Sequence, residues 1–240
     1  MTRGSRPLNL CLAPDGRLYF GEYFDNPGRA AVQIYGSEDG GRSWEVAYTF
    51  AAGAVRHVHR VAWDPFRQGV WVFTGDEDSE SQMLFTADRF RTLEKRFAGR
   101  QHFRTVACLF TSEGLLYGTD SPFEANAVQL LELGSGKLRR LHPLPSSSFS
   151  AAHAGGHFVF STAAEPSPVN DTRACTLWCS RDLESWRRLA RWERDRLPAR
   201  FFQYGNIILA AGDHSRPFLY SSSVAVRGRD QEMQIWRLAP

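Results

Sequence analysis

The chain has 240 residues, 42% of them hydrophobic and 23% charged, which suits a folded domain with a sizeable core and excludes disorder, collagen and a small disulfide scaffold. Aromatic residues reach 13% with seven Trp, a bias toward sheet packing and an all-β chain. Net charge is only +3, with every basic residue but Lys95 and Lys137 an arginine, so neither a nucleic-acid partner nor a membrane surface is called for.

From the N-terminus, Met-Thr-Arg-Gly-Ser-Arg leads into no long apolar run, and no segment approaches the roughly 18 residues of a membrane span. The expectation is a soluble, cytoplasmic chain. Strands are then predicted near 8–13, 17–22, 31–37 and 43–50, the second introduced by Gly16-Arg-Leu-Tyr-Phe. Similar glycine-led apolar runs follow at Gly69, Gly114, Gly156 and Gly205, at intervals of 53, 45, 42 and 49 residues. A second series begins at Ser37, Thr86 and Ser180, separated by 49 and 94 residues, and 94 is twice 47. Two unrelated markers share one period, and about 47 residues is what four short strands of a propeller blade require. The chain therefore reads as one five-bladed β-propeller with four antiparallel strands per blade, the blades spanning 8–50, 58–97, 103–142, 148–192 and 200–238. Cys11, Cys108, Cys175 and Cys179 lack Cys-x-x-Cys spacing and read as reduced core thiols. The arginines at 187, 188, 191, 194, 196 and 200 read as edge-strand charge that blocks sheet-to-sheet pairing.

The second series has its fullest form in Ser37-Glu-Asp39-Gly-Gly41-Arg-Ser43-Trp44, with looser copies at Thr86-Ala-Asp88-Arg-Phe-Arg-Thr92 and Ser180-Arg-Asp182-Leu-Glu-Ser185-Trp186. This motif resembles the Asp-box, or BNR repeat, of sialidase-like propellers. The resemblance implies a structural turn between the third and fourth strands of a blade, with the Asp capping backbone amides, so Asp39, Asp88 and Asp182 are not expected to be catalytic. It stops at the repeat: a sialidase would carry an Arg-Ile-Pro segment and a triad of arginines, and no Arg-Ile-Pro occurs here.

Alternating strand direction puts the loops after each second strand on one face with the connections that lead into each first strand. That face holds most of the chemically capable residues, and a central funnel there is the expected site. Glu22, Asp76, Asp120 and Asp213 each fall six to eight residues after their turn glycine, an acidic position recurring in four of five units. Converging carboxylates cost free energy without a cation, and Arg56, Arg60, Arg104 and Arg200 are candidates to offset them. Neutralising one such charge is then expected to leave stability unchanged or raised. The candidate catalytic residues are Glu22, His57, His59, Asp76 and Asp120; the candidate substrate-binding residues are Asn26, Arg104, Glu124, Asn126, Glu165 and Gln203. His57-Val-His59 places two imidazoles on one side of a strand, where they can hold a divalent metal with a third ligand such as Glu22, Asp76 or Gln203.

Two functions fit this pattern. One is a carbohydrate-processing propeller acting on an oligosaccharide or polysaccharide: a hydrolase using two funnel carboxylates, or a lyase using a histidine base beside a carboxylate neutralised by Arg104 or a metal. The other is a non-catalytic glycan-binding or protein-assembly propeller, with Tyr23, Phe24 and Phe123 offered to sugar faces.

Overall fold

Short apolar runs broken by turn glycines fold as antiparallel hairpins, because each run is long enough for a strand and too short for a stable helix. A computed structural model describes residues 6–170, 172–198 and 201–239. Among these residues the regular elements are twenty strands and two short 3-10 turns, and the strands form five sheets. The chain divides into two compact units, Met1–Thr105 and Val106–Pro240.

The first unit holds two four-stranded antiparallel sheets. One is built in chain order from β1 (Cys11–Leu12), β2 (Leu18–Gly21), β3 (Val32–Ser37) and β4 (Glu45–Phe50). The other contains β5 (His57–Asp64), β6 (Gly69–Gly75), β7 (Gln82–Thr86) and β8 (Glu94–Ala98). Their inner faces meet in one core that includes Val32, Ile34, Val58, Val61, Val70, Val72, Leu84 and Phe90. Val58 and Val61 both face this core although three residues apart, an interval that a regular strand would send to opposite faces. A β-bulge between Val58 and Arg60 resolves the conflict by inserting His59 as an extra residue opposite β6.

The second unit repeats the pattern and then departs from it. β9 (Ala107–Phe110), β10 (Gly114–Gly118), β11 (Ala127–Glu132) and β12 (Leu138–Pro143) form a four-stranded antiparallel sheet. β13 (Ser150–Ala154), β14 (His157–Thr162), β15 (Ala174–Ser180) and β16 (Arg187–Glu193) form another, with the arginines of β16 on its outer strand. The last sheet has three strands rather than four: β17 (Asn206–Leu209), β19 (Phe218–Val224) and β20 (Met233–Arg237). Gly205 leads into β17, which pairs directly with β19, so the strands present correspond to the second, third and fourth of the other sheets. The expected first strand does not form over the described residues: the amides of Phe201 and Phe202 turn back to the carbonyl of Pro198, at 3.0 and 3.1 Å, and are unavailable to a ladder. β18 (Asp213–His214) instead joins the preceding sheet, pairing in parallel with β13 through His153↔Asp213 and Ala154↔His214. Arg200 lies outside the described residues.

Cys11, Cys108, Cys175 and Cys179 are buried thiols. Burial pushes the Cys175 thiol up to about 12, outweighing the lowering effects of the Ala164 backbone and of Arg194. Among the described residues no helix is long and apolar enough to cross a membrane.

Candidate functional site

Antiparallel pairing sets the end of β6 against the start of β5, and His57 lies directly opposite Gly75. The next residue, Asp76, begins the loop that leaves β6. The connection after β8 brings Gln101 and Arg104 to the same edge, and the loop after β2 brings Tyr23 and Phe24. Thus the loops after second strands and the connections flanking first strands do meet within the first unit.

At the centre is the Asp76 carboxylate. Nε2 of His57 lies 3.3 Å from Oδ2, and Nε2 of His59 lies 3.4 Å from Oδ1. The two Nε2 atoms are 3.1 Å apart. Arg56 approaches Oδ2 at 3.4 Å and Arg104 approaches Oδ1 at 3.2 Å. The loop is fixed independently of its carboxylate: Arg104 and Gln101 donate to the Asp76 backbone carbonyl at 3.0 and 2.9 Å. The Nδ1 side of His57 faces the Phe24 carbonyl at 3.4 Å, and the Tyr23 ring lies over its imidazole with centroids 4.0 Å apart. Arg56 reaches outward to Asp25 at 3.0 Å.

His57 and His59 are buried, at 5% and 2% exposure, which is unusual for two groups able to carry charge. Burial raises the Asp76 carboxyl, but the hydrogen bonds and charges of the two imidazoles outweigh it and hold the group well below the usual carboxylate range. Gly75 makes the packing sterically feasible. A Cβ there would stand 2.4 Å from Cε1 of His59 and 3.1 Å from Cγ of Arg104.

The three Asp turns join β3 to β4, β7 to β8 and β15 to β16. Asp39 Oδ1 accepts from the Arg42 and Ser43 amides at 2.9 Å each, and Oδ2 accepts from the Ser43 hydroxyl at 2.7 Å. Asp88 accepts from the Thr92 amide at 2.9 Å and hydroxyl at 2.7 Å, and Asp182 from the amides of Glu184 and Ser185 at 3.0 and 2.8 Å. Led by the Ser43 and Ser185 amides respectively, these bonds push Asp39 and Asp182 down to about 2.

No protein-family model matches the chain, and no curated protein matches it by sequence. Solved structures do share its fold. TolB from Acinetobacter baumannii is 11% identical with a TM-score of 0.54, over 77% of this chain and 43% of that one. A chain of the mitotic checkpoint complex is 11% identical at 0.53, over 97% of this chain and 64% of its own. A Lactobacillus plantarum protein is 13% identical at 0.52, over 98% and 72%. The chain thus spans less than two thirds of the first two structures it resembles. At these identities the likeness shows a β-propeller-like fold and nothing about chemistry.

Of the candidate catalytic residues, His57, His59 and Asp76 come together, joined by Arg104 from the candidate binding residues. Oε2 of Glu22 accepts from the Gln33 amide at 2.8 Å, holding β2 to β3. Asn26 and Arg56 meet through backbone: the Asn26 amide donates to the Ala30 and Arg56 carbonyls and accepts from the Ala30 amide. In the second unit Asn126 closes its own loop in the same way, bonding Thr119, both backbone polar groups of Ser121, and Asn170. Both asparagines are therefore loop locks rather than free ligand contacts. Asp120 is buried and Glu165 half-buried in that unit, while Glu124 and Gln203 are exposed. Tyr23 and Phe24 are half-buried, Phe24 packing on the core, so among the three aromatics offered to sugars Phe123 alone stands exposed. Arg60 is half-buried on β5, and Asp213 pairs with His153 at 2.9 Å. The role of Gly75 was hidden in the sequence; the interval of three between Val58 and Val61 was the one available sign of the bulge.

Proposed function

We propose that the chain is a carbohydrate-processing β-propeller, its five sheets serving as blades and its acidic-saccharide site centred on His57, His59, Asp76, Arg56 and Arg104. The observation that carries this reading is a single carboxylate ringed by two imidazoles and two guanidiniums. A hydrolase needs two carboxylates flanking the scissile bond, one of them protonated to serve as acid. Asp76 is held ionised and a second carboxylate, Asp25, meets the cluster at its Arg56 rim, so the cluster favours elimination over hydrolysis. In an elimination the sugar carboxylate takes a cationic partner, which Arg56 offers at the more exposed rim. The carbon next to that carboxylate gives its proton to a base at the imidazole end, the bond to the departing oxygen breaks, a carbon–carbon double bond forms, and the oxygen leaves with a proton. The three Asp turns, similar to those of sialidase-like propellers, support a carbohydrate setting without taking part.

The test is incubation with uronate-containing and neutral polysaccharides, following ultraviolet absorbance of the new double bond and, separately, binding. Absorbance that rises only with acidic substrates, and falls at least tenfold in Arg56→Ala, is the expected result. Binding of acidic chains without a double bond would select the non-catalytic glycan module. Failure to bind any saccharide would remove the reading. A protein-assembly role has its own support in the last sheet, where Ile208, Tyr220, Met233 and Ile235 are exposed apolar side chains, and in the likeness to a subunit of an assembled complex.

A further inference from the structure

The spacing of the buried cluster is wrong for a network of direct charged hydrogen bonds. A guanidinium or imidazolium bonded to a carboxylate sits at about 2.7–2.9 Å. All four cationic nitrogens around Asp76 stand at 3.2–3.4 Å instead. Elsewhere in the same unit charged pairs range from 2.6 Å for Arg17–Asp15 to 3.2 Å for Arg67–Asp64 and 3.5 Å for Arg89–Asp15, but none of those pairs belongs to a carboxylate ringed by four such nitrogens. The two Nε2 atoms facing each other at 3.1 Å raise a second difficulty, since neutral imidazoles so placed can share one proton at most.

Both features have one physical resolution, a cation among the three donors. Ligands around a metal with bonds of about 2.0–2.1 Å lie about 3.3–3.4 Å from one another when tetrahedral, and about 2.8–3.0 Å when cis on an octahedron. The Nε2–Nε2 separation of 3.1 Å, and the 3.3 Å from His57 Nε2 to Oδ2 and 3.4 Å from His59 Nε2 to Oδ1, are of that size, each imidazole facing its own carboxylate oxygen. One donor atom from each of the three side chains lies within 4.8 Å of the other two. In the tautomer that donates from Nδ1 to the Phe24 carbonyl, 3.4 Å away, the His57 Nε2 lone pair is free for a metal. The bulge at His59 turns the second imidazole toward the first, and Gly75 leaves the space it occupies.

We infer that His57, His59 and Asp76 form a binding site for one divalent transition-metal ion, with Zn2+ as the reference occupant. Two nitrogen donors and one carboxylate exclude calcium and magnesium as preferred occupants, because those ions take oxygen ligands. With neutral imidazoles, the ion and the two arginines outweigh the one carboxylate, so the open coordination position draws an anionic oxygen. This deepens the proposed function in one respect: a sugar carboxylate would be shared between the ion and Arg56. With the ion bound, both Nε2 lone pairs would serve as ligands and could not act as the base, and the chemistry the ion would supply at that end is a bound water of lowered pKa.

The experiment uses the full chain without a polyhistidine tag, stripped with chelator and titrated calorimetrically with Zn2+, Co2+ and Ca2+. One equivalent of Zn2+ or Co2+ and no saturable Ca2+ binding are expected, with a visible Co2+ band reporting nitrogen ligation. His59→Ala and Asp76→Ala should each weaken Zn2+ at least 100-fold. Arg56→Gln, which keeps every ligand and removes a neighbouring positive charge, should tighten Zn2+ severalfold while weakening acidic saccharides. Circular dichroism checks that each variant is folded; where His59→Ala is not, His59→Gln and Arg56→Gln decide. No Zn2+ binding by the parent, or parental affinity in both ligand variants, overturns the site. Acidic saccharides bound without any metal would leave the proposed function standing and remove the ion; metal bound without saccharide would do the reverse.

Discussion

Asp39 and Asp76 are both held ionised far into acid, yet by opposite means. Asp39 is exposed, and its partners are two amides and two hydroxyls within four residues of it, at 2.7–2.9 Å. Asp76 is largely buried, and its side-chain partners lie 17 to 28 residues away in sequence, at 3.2–3.4 Å. A lowered carboxyl pKa therefore does not separate structure from function in this chain. Sequence separation does: the local site is closed within one turn, whereas the distant one is assembled from three separate segments around one carboxylate.

The strongest way to break this contrast is Gly75→Ala. The added methyl drives the His59 ring from its place, costing about 3 kcal/mol as overpacking and at least tenfold in ligand affinity, while the Asp39 turn remains intact. Chemical denaturation and saccharide titration on the same sample check both halves. A variant with parental stability and binding would mean that the imidazole is not held where its contacts place it.

Asp76→Asn comes next, and here the structure reverses the expectation drawn from charge repulsion. Asp76 is not one of several crowded carboxylates but the one that ion-pairs with all four groups able to be positive, Asp25 reaching Arg56 at the rim. Removing its charge leaves Arg104 and Arg56 facing each other's field, so stability should fall by about 2 kcal/mol rather than hold or rise. Urea denaturation reads this directly.

The smallest effects belong to the turns. Asp39→Ala should lower the melting temperature by a few degrees and leave ligand affinity per folded molecule unchanged. The acid response follows from the sign of the shift. A carboxyl at about 2 in the fold and near 3.8 when unfolded stabilises fully above pH 4 and loses that contribution as pH falls toward 2. Acid melting curves of the parent and Asp39→Ala should converge across that interval; parallel curves would contradict the assignment.

The repeat was legible because each sheet carries its own local marks. The glycine before each second strand and the hydroxyl–Asp turn act within eight residues, and four of the five predicted strand sets coincide with observed sheets. The last set failed where local marks compete: the Pro198 turn captures the amides of Phe201 and Phe202, and β18 pairs with β13 instead. In the site, His57, His59 and Asp76 were readable from strand alternation and from an acid at a strand end. The loop-locking asparagines were not, since an amide that bonds backbone and one that awaits a ligand look alike in sequence.

The second Asp turn separates the essential letters of that motif from the dispensable ones. Gly40 and Gly41, with φ of 74° and 88°, supply the left-handed conformation in the first copy. In the second copy the same two places are Arg89 and Phe90, at 61° and 66°, and the Asp88 bonds to Thr92 are still made. Phe90 uses its place to pack, buried, against Tyr19 at 5.2 Å. The blueprint of the turn is thus written in oxygens: a hydroxyl, a carboxylate two residues on, and a second hydroxyl three or four beyond. A pattern search keyed to paired glycines would find one such turn in this chain, whereas one keyed to those oxygens would recover all three described here.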